Sequence, residues 1–292
     1  MPKQFLSKSS TLLLTAVAVF LAPSAFAQLP SVAQACAPLS AADAQDKNVV
    51  AYQKQSCLEA KQREKDNLVL KKRDELGQFF RACKINNSEV ISQLLQESFD
   101  PNQVEPERGE TCLMLAIRED AGKVVELLLA SKKINLEAKA NNGDNALMIA
   151  SYKGAANIVK TLIDHGAEVN RPGWAPLHYA AFIGNNEVVQ ILLDASAYID
   201  AEAPNKNTPI MMAAYGGHIY TAKLLLDEGA DATLKNDRGQ TAIDMALLSN
   251  HQDIADGLLF QLKKQGKPVP ANTSSNANPP ANHGAKFDNS KD

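Results

Sequence analysis

The sequence predicts an all-α fold: a solenoid of about six helix-turn-helix units behind a helical N-terminal arm. A short motif opening with Thr, Asn or Ala recurs five times, starting at residues 111, 145, 175, 208 and 241. The intervals between these starts are 34, 30, 33 and 33 residues. Each copy continues into apolar residues at helical spacing, as in residues 188–193. A period of this length is typical of stacked repeats, in which neighbouring units bury a shared core.

Residues 1–27 predict a secretory signal peptide. Lys3 and Lys8 form a basic start, an apolar run covers residues 12–21, and Ala25-Phe26-Ala27 is a small-x-small cleavage site. The run of about ten residues is well short of the roughly 20 that span a bilayer. We therefore expect cleavage before Gln28, export, and no stable membrane insertion of the mature chain.

Residues 28–76 predict a helical arm. The segment from Ser40 to Leu76 lacks Gly and Pro, and Ser40–Asp43 reads as a capping box, so we expect one or two helices here. Mixed charges run through residues 59–75. They favour a solvated helix face with i,i+4 pairs, and a docking site for a charged partner is the alternative.

Four cysteines remain after export, and an oxidising compartment would allow disulfides. Cys36–Cys57 is the candidate pair, on the condition that the helix breaks near residues 46–48, because an unbroken helix would hold the two apart. Attachment of a lipid to Cys36 is a weaker interpretation.

Cys83 and Cys112 lie five positions out of phase in adjacent repeats, so we expect two small buried hydrophobic side chains and no disulfide bond between them. No C-x-x-C spacing indicates a zinc or redox site.

The repeat domain is predicted to span residues 77–262, with a degenerate first copy. Thr or Asn at a unit start can cap the first helix, and Gly166 and Gly229 fall where the second helix must end in a left-handed cap. The six predicted units cover residues 77–110, 111–144, 145–174, 175–207, 208–240 and 241–262. The polar residues 263–292 predict a disordered tail.

These repeats resemble the ankyrin repeat. The family's T-P-L-H-x-A signature is nearly complete in Ala175–Ala180, and its G-A-D/E-x-N segment is matched by His165–Asn170 and in part by Glu228–Ala232. The resemblance covers about two-thirds of the chain. It implies an ankyrin-repeat solenoid that binds another protein on the concave face built from hairpin tips and from the ends of the first helices.

When the six units are aligned, the residues that end each first helix are aromatic or aliphatic in the middle units of the array. We expect Tyr152, Phe182, Ile183 and Tyr215 to line up across three units, with Trp174 on the neighbouring tip. The alternative is that Phe182 and Ile183 only pack against each other and shield the short loop. The connection before Trp174 is about three residues shorter than the others, which predicts a notch beside it. The predicted partner-binding residues are Arg118, Glu119, Tyr152, Lys153, Trp174, Phe182, Ile183 and Tyr215.

No catalytic, cofactor or metal motif stands out. His165, His178, His218 and His251 all occupy repeat positions that explain them structurally, and for His178 the ankyrin resemblance implies a bond to the neighbouring hairpin. No nucleophile–base spacing or Walker loop is present. The formal charge of −3 becomes −5 once Lys3 and Lys8 are removed, and no basic stripe indicates nucleic-acid binding.

The sequence therefore predicts a monomeric, non-enzymatic interaction protein without cofactor, exported to the periplasm or, alternatively, secreted. An inhibitor, an immunity-type protein and an enzyme stabiliser are concrete versions of this prediction. A secreted host-directed effector is an alternative, as is a ligand-binding or enzymatic site near Trp174 and His178. A deep cavity with convergent polar groups there would favour the last of these.

Overall fold

The computed structural model describes residues 29–267. Residues 1–28 and 268–292, which hold the predicted signal peptide and nearly all of the predicted tail, lie outside the described residues. Within the described range the protein is all-α, and the chain divides between Glu75 and Leu76 into two compact units. The helices are α1 Val32–Ala35, α2 Lys47–Lys84, α3 Ser88–Gln96, α4 Cys112–Arg118, α5 Gly122–Leu129, α6 Ala146–Lys153, α7 Ala156–Asp164, α8 Pro176–Ile183, α9 Asn186–Asp194, α10 Pro209–Gly216, α11 Ile219–Asp227, α12 Ala242–Leu248 and α13 Gln252–Lys264.

The N-terminal unit contains α1, a 3-10 turn and most of α2. The Ser40 hydroxyl accepts a hydrogen bond from the Asp43 amide at 3.2 Å and starts the 3-10 turn. The chain is extended at Asp46, so α2 begins as a separate helix. This break lets the chain fold back, and a disulfide joins Cys36 to Cys57 with the Cα atoms 4.7 Å apart.

The second unit stacks helix pairs of one pattern, from the end of α2 with α3 to α12 with α13. The second helix of each pair, called the outer helix here, has apolar residues at helical spacing, and this spacing explains which residues are buried. In α9, Val188, Val189 and Leu192 are fully buried. First helices begin at polar caps such as Asn145, whose side chain accepts from the Met148 amide. The last helix, α13, runs two residues into the segment predicted as tail.

Polar side chains tie each connection to the next unit. Asn102 donates to the Lys133 carbonyl and accepts from the Asn135 amide, both at 2.8 Å. Asn170 makes the same two kinds of bond to the following unit, each at 2.7 Å. These bonds satisfy backbone groups that no helix or sheet pairs, and they hold successive connections at fixed spacing.

A second disulfide, between Cys83 and Cys112, shows that the expectation of two unbonded side chains was wrong. The Cα atoms are 5.5 Å apart and both residues are fully buried. The expectation assumed that the helix carrying Cys83 lies parallel to α4 and in repeat register with it. Cys83 instead lies in the last turn of the 38-residue helix α2, and that turn approaches the first turn of α4.

Candidate partner-binding face

The predicted binding residues lie where each first helix ends or, for Trp174, just before one begins. Glu119 is exposed at the end of α4, and the other seven are half-buried. Half-burial means that these side chains are held by the array while part of each surface remains accessible to a partner.

Several of the aromatic side chains contact one another. The rings of Phe182 and Tyr215 lie nearly parallel, with centroids 6.3 Å apart and planes at 21°. Tyr152 and Trp174 both pack edge-to-face against Tyr179, each with a centroid distance of 6.3 Å. We call these five rings together with Ile183 the aromatic ridge.

Tyr179 is the member of the ridge that sequence reasoning missed. It occupies the variable position of the T-P-L-H-x-A signature, where the other full copies carry Leu, Ile or Met, and that contrast was the available signal. Its hydroxyl donates to a carboxylate oxygen of Asp144 at 2.5 Å. Burial, and then the negative charge of Asp144, raises the pKa of Tyr179, so the hydroxyl keeps its proton and the ring stays fixed.

The short connection before α8 places Trp174 against the array. The indole is half-buried and lies edge-to-face against the His178 ring, with centroids 5.4 Å apart. His178 Nδ1 accepts from the Ala175 amide at 3.1 Å, and Nε2 donates to the carbonyls of Ala201 and Asn207 at 3.0 Å each. The predicted bond from His178 to the neighbouring hairpin is thus confirmed. Burial lowers the pKa of His178, which favours the neutral ring.

Two predicted binding cations are engaged within the array. Arg118 Nη2 lies 2.6 Å from Glu110 Oε1, and Glu110 is almost fully buried. Lys153 Nζ lies 2.7 Å from an Asp120 carboxylate oxygen and 2.5 Å from the Arg118 carbonyl. The Arg118 pair joins the first and second units, the Lys153 contacts join the second and third units, and both positive charges are neutralised locally.

The remaining histidines of the repeats have structural surroundings. A Cβ atom at Gly184 would overlap the His218 ring, and one at Gly217 would overlap His251, so each ring packs directly on the preceding unit's glycine. Within residues 29–267, no group of three or more His, Cys, Asp or Glu side chains could hold a metal ion.

An open depression of about 530 Å³ lies on the outer helices of the first two units, far along the array from Trp174. Its lining comes from α3 and one leucine of α5: Ser88, Glu89, Ser92, Gln93, Gln96 and Leu127. The described part of the chain also holds no helix with both the length and the apolar character needed to cross a membrane.

Comparison with known families agrees with this architecture. A family model described as ankyrin repeats (3 copies) matches residues 45–140, 79–172, 133–203 and 177–268, together well over half of the chain. The chain belongs to the ankyrin-repeat family. The first match starts at residue 45, so it also takes in much of the segment predicted as the arm.

Curated relatives match this ankyrin-repeat protein over part of its length. It is 32% identical over 177 residues to human SH3 and multiple ankyrin repeat domains protein 2, covering 59% of this chain and 10% of that protein. It is 30% identical over 135 residues to human neurogenic locus notch homolog protein 1, covering 45% and 5%. It is 28% identical over 193 residues to human transient receptor potential cation channel subfamily A member 1, covering 61% and 17%. The chain thus spans less than a fifth of each of these relatives.

Proposed function

We propose that this ankyrin-repeat protein is a non-enzymatic scaffold that binds another protein through the aromatic ridge. The observation that carries the proposal is the grouping of five half-buried aromatic rings on the third to fifth units. Tyr and Trp side chains that are clustered and partly accessible are the residue types that dominate protein-binding hot spots.

The way these rings are held supports the same conclusion. Tyr179 is fixed by Asp144, and Trp174 is packed on His178, so little side-chain freedom remains to be lost. Association costs about 0.5–1.5 kcal/mol for each mobile side chain that it immobilises. A surface ordered in advance avoids much of that cost, and its binding energy then depends mainly on the buried ring area.

We place the protein outside the cytoplasm, in the periplasm, as the first expectation, with secretion as the alternative. The predicted signal peptide motivates this placement, and the pairing of all four cysteines supports it, because stable disulfides are typical of oxidising compartments. A binding face that is ordered in advance suits three roles in that compartment: an inhibitor, an immunity-type protein, or a stabiliser of another exported protein.

The proposal is tested by partner capture from the native envelope fraction and culture fluid. The bait is the full chain, compared with Phe182→Ala/Tyr215→Ala, which removes two ridge rings. Tyr220→Ala/Phe260→Ala is the matched control, because it removes two aromatic rings that are 77% and 65% exposed on outer helices. We expect one partner to be lost with the ridge variant alone, at an unchanged thermal melt.

Other outcomes would count against the proposal. A partner retained equally by both variants would move the interface away from the ridge. Capture of no protein from either fraction would favour the small-ligand alternative near Trp174, and enzymatic activity of the purified chain would contradict the non-enzymatic assignment. The fraction that yields the partner distinguishes a periplasmic protein from a secreted effector.

A further inference from the structure

Arg171 is a ridge-side cation whose hydrogen-bonding capacity is largely unused. It lies in the short connection before α8, half-buried, three residues from Trp174. Its Nη1 atom lies 3.1 Å from the thioether sulfur of Met148, which is a weak acceptor. Within residues 29–267, no carboxylate lies within ion-pair distance of this guanidinium. An arginine offers five N–H donors, so most of them remain available.

The other two ridge-side cations differ in this respect. Arg118 is paired with the buried Glu110, and Lys153 with Asp120. Asp144, the carboxylate nearest to the ridge rings, already accepts the Tyr179 hydroxyl and an Asn142 amide hydrogen at 2.6 Å. Arg171 therefore differs from Arg118 and Lys153, because no carboxylate partner is found for it among the described residues.

We propose that Arg171 receives a carboxylate of the partner, carried next to an apolar side chain that packs on Trp174. The inference rests on the proposed function and names the chemistry of the partner at that surface. A planar guanidinium pairs with a carboxylate through two parallel hydrogen bonds, which fixes the orientation of the acidic group. The neighbouring rings provide the apolar contact and partly exclude water, which strengthens the charged bonds.

The net charge of the whole array favours a cationic partner group, whereas Arg171 favours a carboxylate, so an experiment can distinguish the two. Residues 77–262 contain 15 Lys and Arg and 24 Asp and Glu, a formal balance of 15 − 24 = −9. That balance would favour a cationic partner at long range. Exposed charges are, however, screened beyond about 8 Å at physiological salt. At contact distance the unpaired guanidinium decides which group is accepted.

The test uses three small probes and one reporter. The probes are N-acetyl-phenylalanine, its neutral amide, and N-acetyl-argininamide. The reporter is the indole N–H resonance of Trp174, the one tryptophan of the chain, in nitrogen-15 spectra of the full-length protein. We expect the acid to shift this resonance with an apparent Kd about tenfold lower than the amide, because charge-assisted hydrogen bonds are roughly twice as strong as neutral ones.

Four variants test whether Arg171 causes the preference for the acid over the amide. Arg171→Gln should reduce the acid-to-amide ratio to about one, and Arg171→Lys should leave an intermediate ratio. Met148→Leu removes the sulfur contact but keeps the guanidinium, so it should keep the preference. Arg238→Gln, an exposed arginine in the connection before α12, is the matched control and should also keep it.

Equal affinities for acid and amide in the wild type would overturn the inference. It would also be overturned if Arg238→Gln abolished the ratio as fully as Arg171→Gln, if N-acetyl-argininamide bound most tightly, or if no probe moved the indole resonance. Partner capture separates this failure from failure of the proposed function. Capture lost in Phe182→Ala/Tyr215→Ala but unchanged in Arg171→Gln would leave the ridge as the interface and remove only the carboxylate contact.

Discussion

Removal of the Cys83–Cys112 bond should strongly destabilise the repeat array. The bond closes a segment with a sequence separation of 29 and joins the end of α2 to the start of α4. A cross-link of that separation restricts the unfolded chain by about 3–4 kcal/mol in the loop-entropy account. Both side chains are fully buried, so the variant Cys83→Ala/Cys112→Ala also loses sulfur packing in the core. The variant should therefore unfold at clearly lower denaturant concentration.

The assay is guanidinium denaturation followed by Trp174 fluorescence, which reports on the array, together with far-ultraviolet circular dichroism. Cys36→Ala/Cys57→Ala is the control, because that bond lies in the N-terminal unit and its loss should leave the Trp174 transition unchanged. Unreduced, denatured wild-type protein should show no titratable thiol. Equal midpoints for Cys83→Ala/Cys112→Ala and wild type would refute the assignment of the bond as a support of the array.

Three further predictions concern single side chains. The free energy of unfolding should fall as the pH drops below about 6.5, because the unfolded chain then binds a proton that buried, neutral His178 excludes. Unfolding curves at several pH values should show this dependence, and His178→Gln should reduce it. Thr208→Val should leave the melting temperature unchanged or raise it, since the Thr208 hydroxyl is buried without a partner, whereas Thr241→Val should cost about 1 kcal/mol through loss of a helix cap. Gly184→Ala should cost at least about 1 kcal/mol in denaturant unfolding, because residue 184 has φ +78° and its Cβ would strike His218; an unchanged midpoint would contradict this packing.

The repeat period predicted the helix pairs because each unit contains the same local features that form a helix pair. Caps such as Asn145 and the buried run of α9 are local features, and stacking adds only contacts with the next unit. The bond from His178 to the next hairpin followed for the same reason, since its role belongs to the repeat position.

The sequence was a weaker guide where the chain leaves the repeat pattern. The Cys83–Cys112 bond joins the last turn of the 38-residue helix α2 to the first turn of α4, a pairing that repeat register does not predict. The carboxylate that pairs with Arg118 comes from the preceding connection, and the repeat period does not describe the path of that connection. Tyr179 was missed because the family signature treats its position as variable.

The most direct test of the central claim is photo-crosslinking in the native host. A photoreactive p-benzoylphenylalanine is placed at residue 182 on the ridge and, in a separate strain, at residue 260 on the exposed side of α13. The account predicts one dominant protein adduct from residue 182 and none of that protein from residue 260. Adducts of the same protein from residue 260 alone, or equally from both positions, would contradict the assignment of the aromatic ridge as the binding surface.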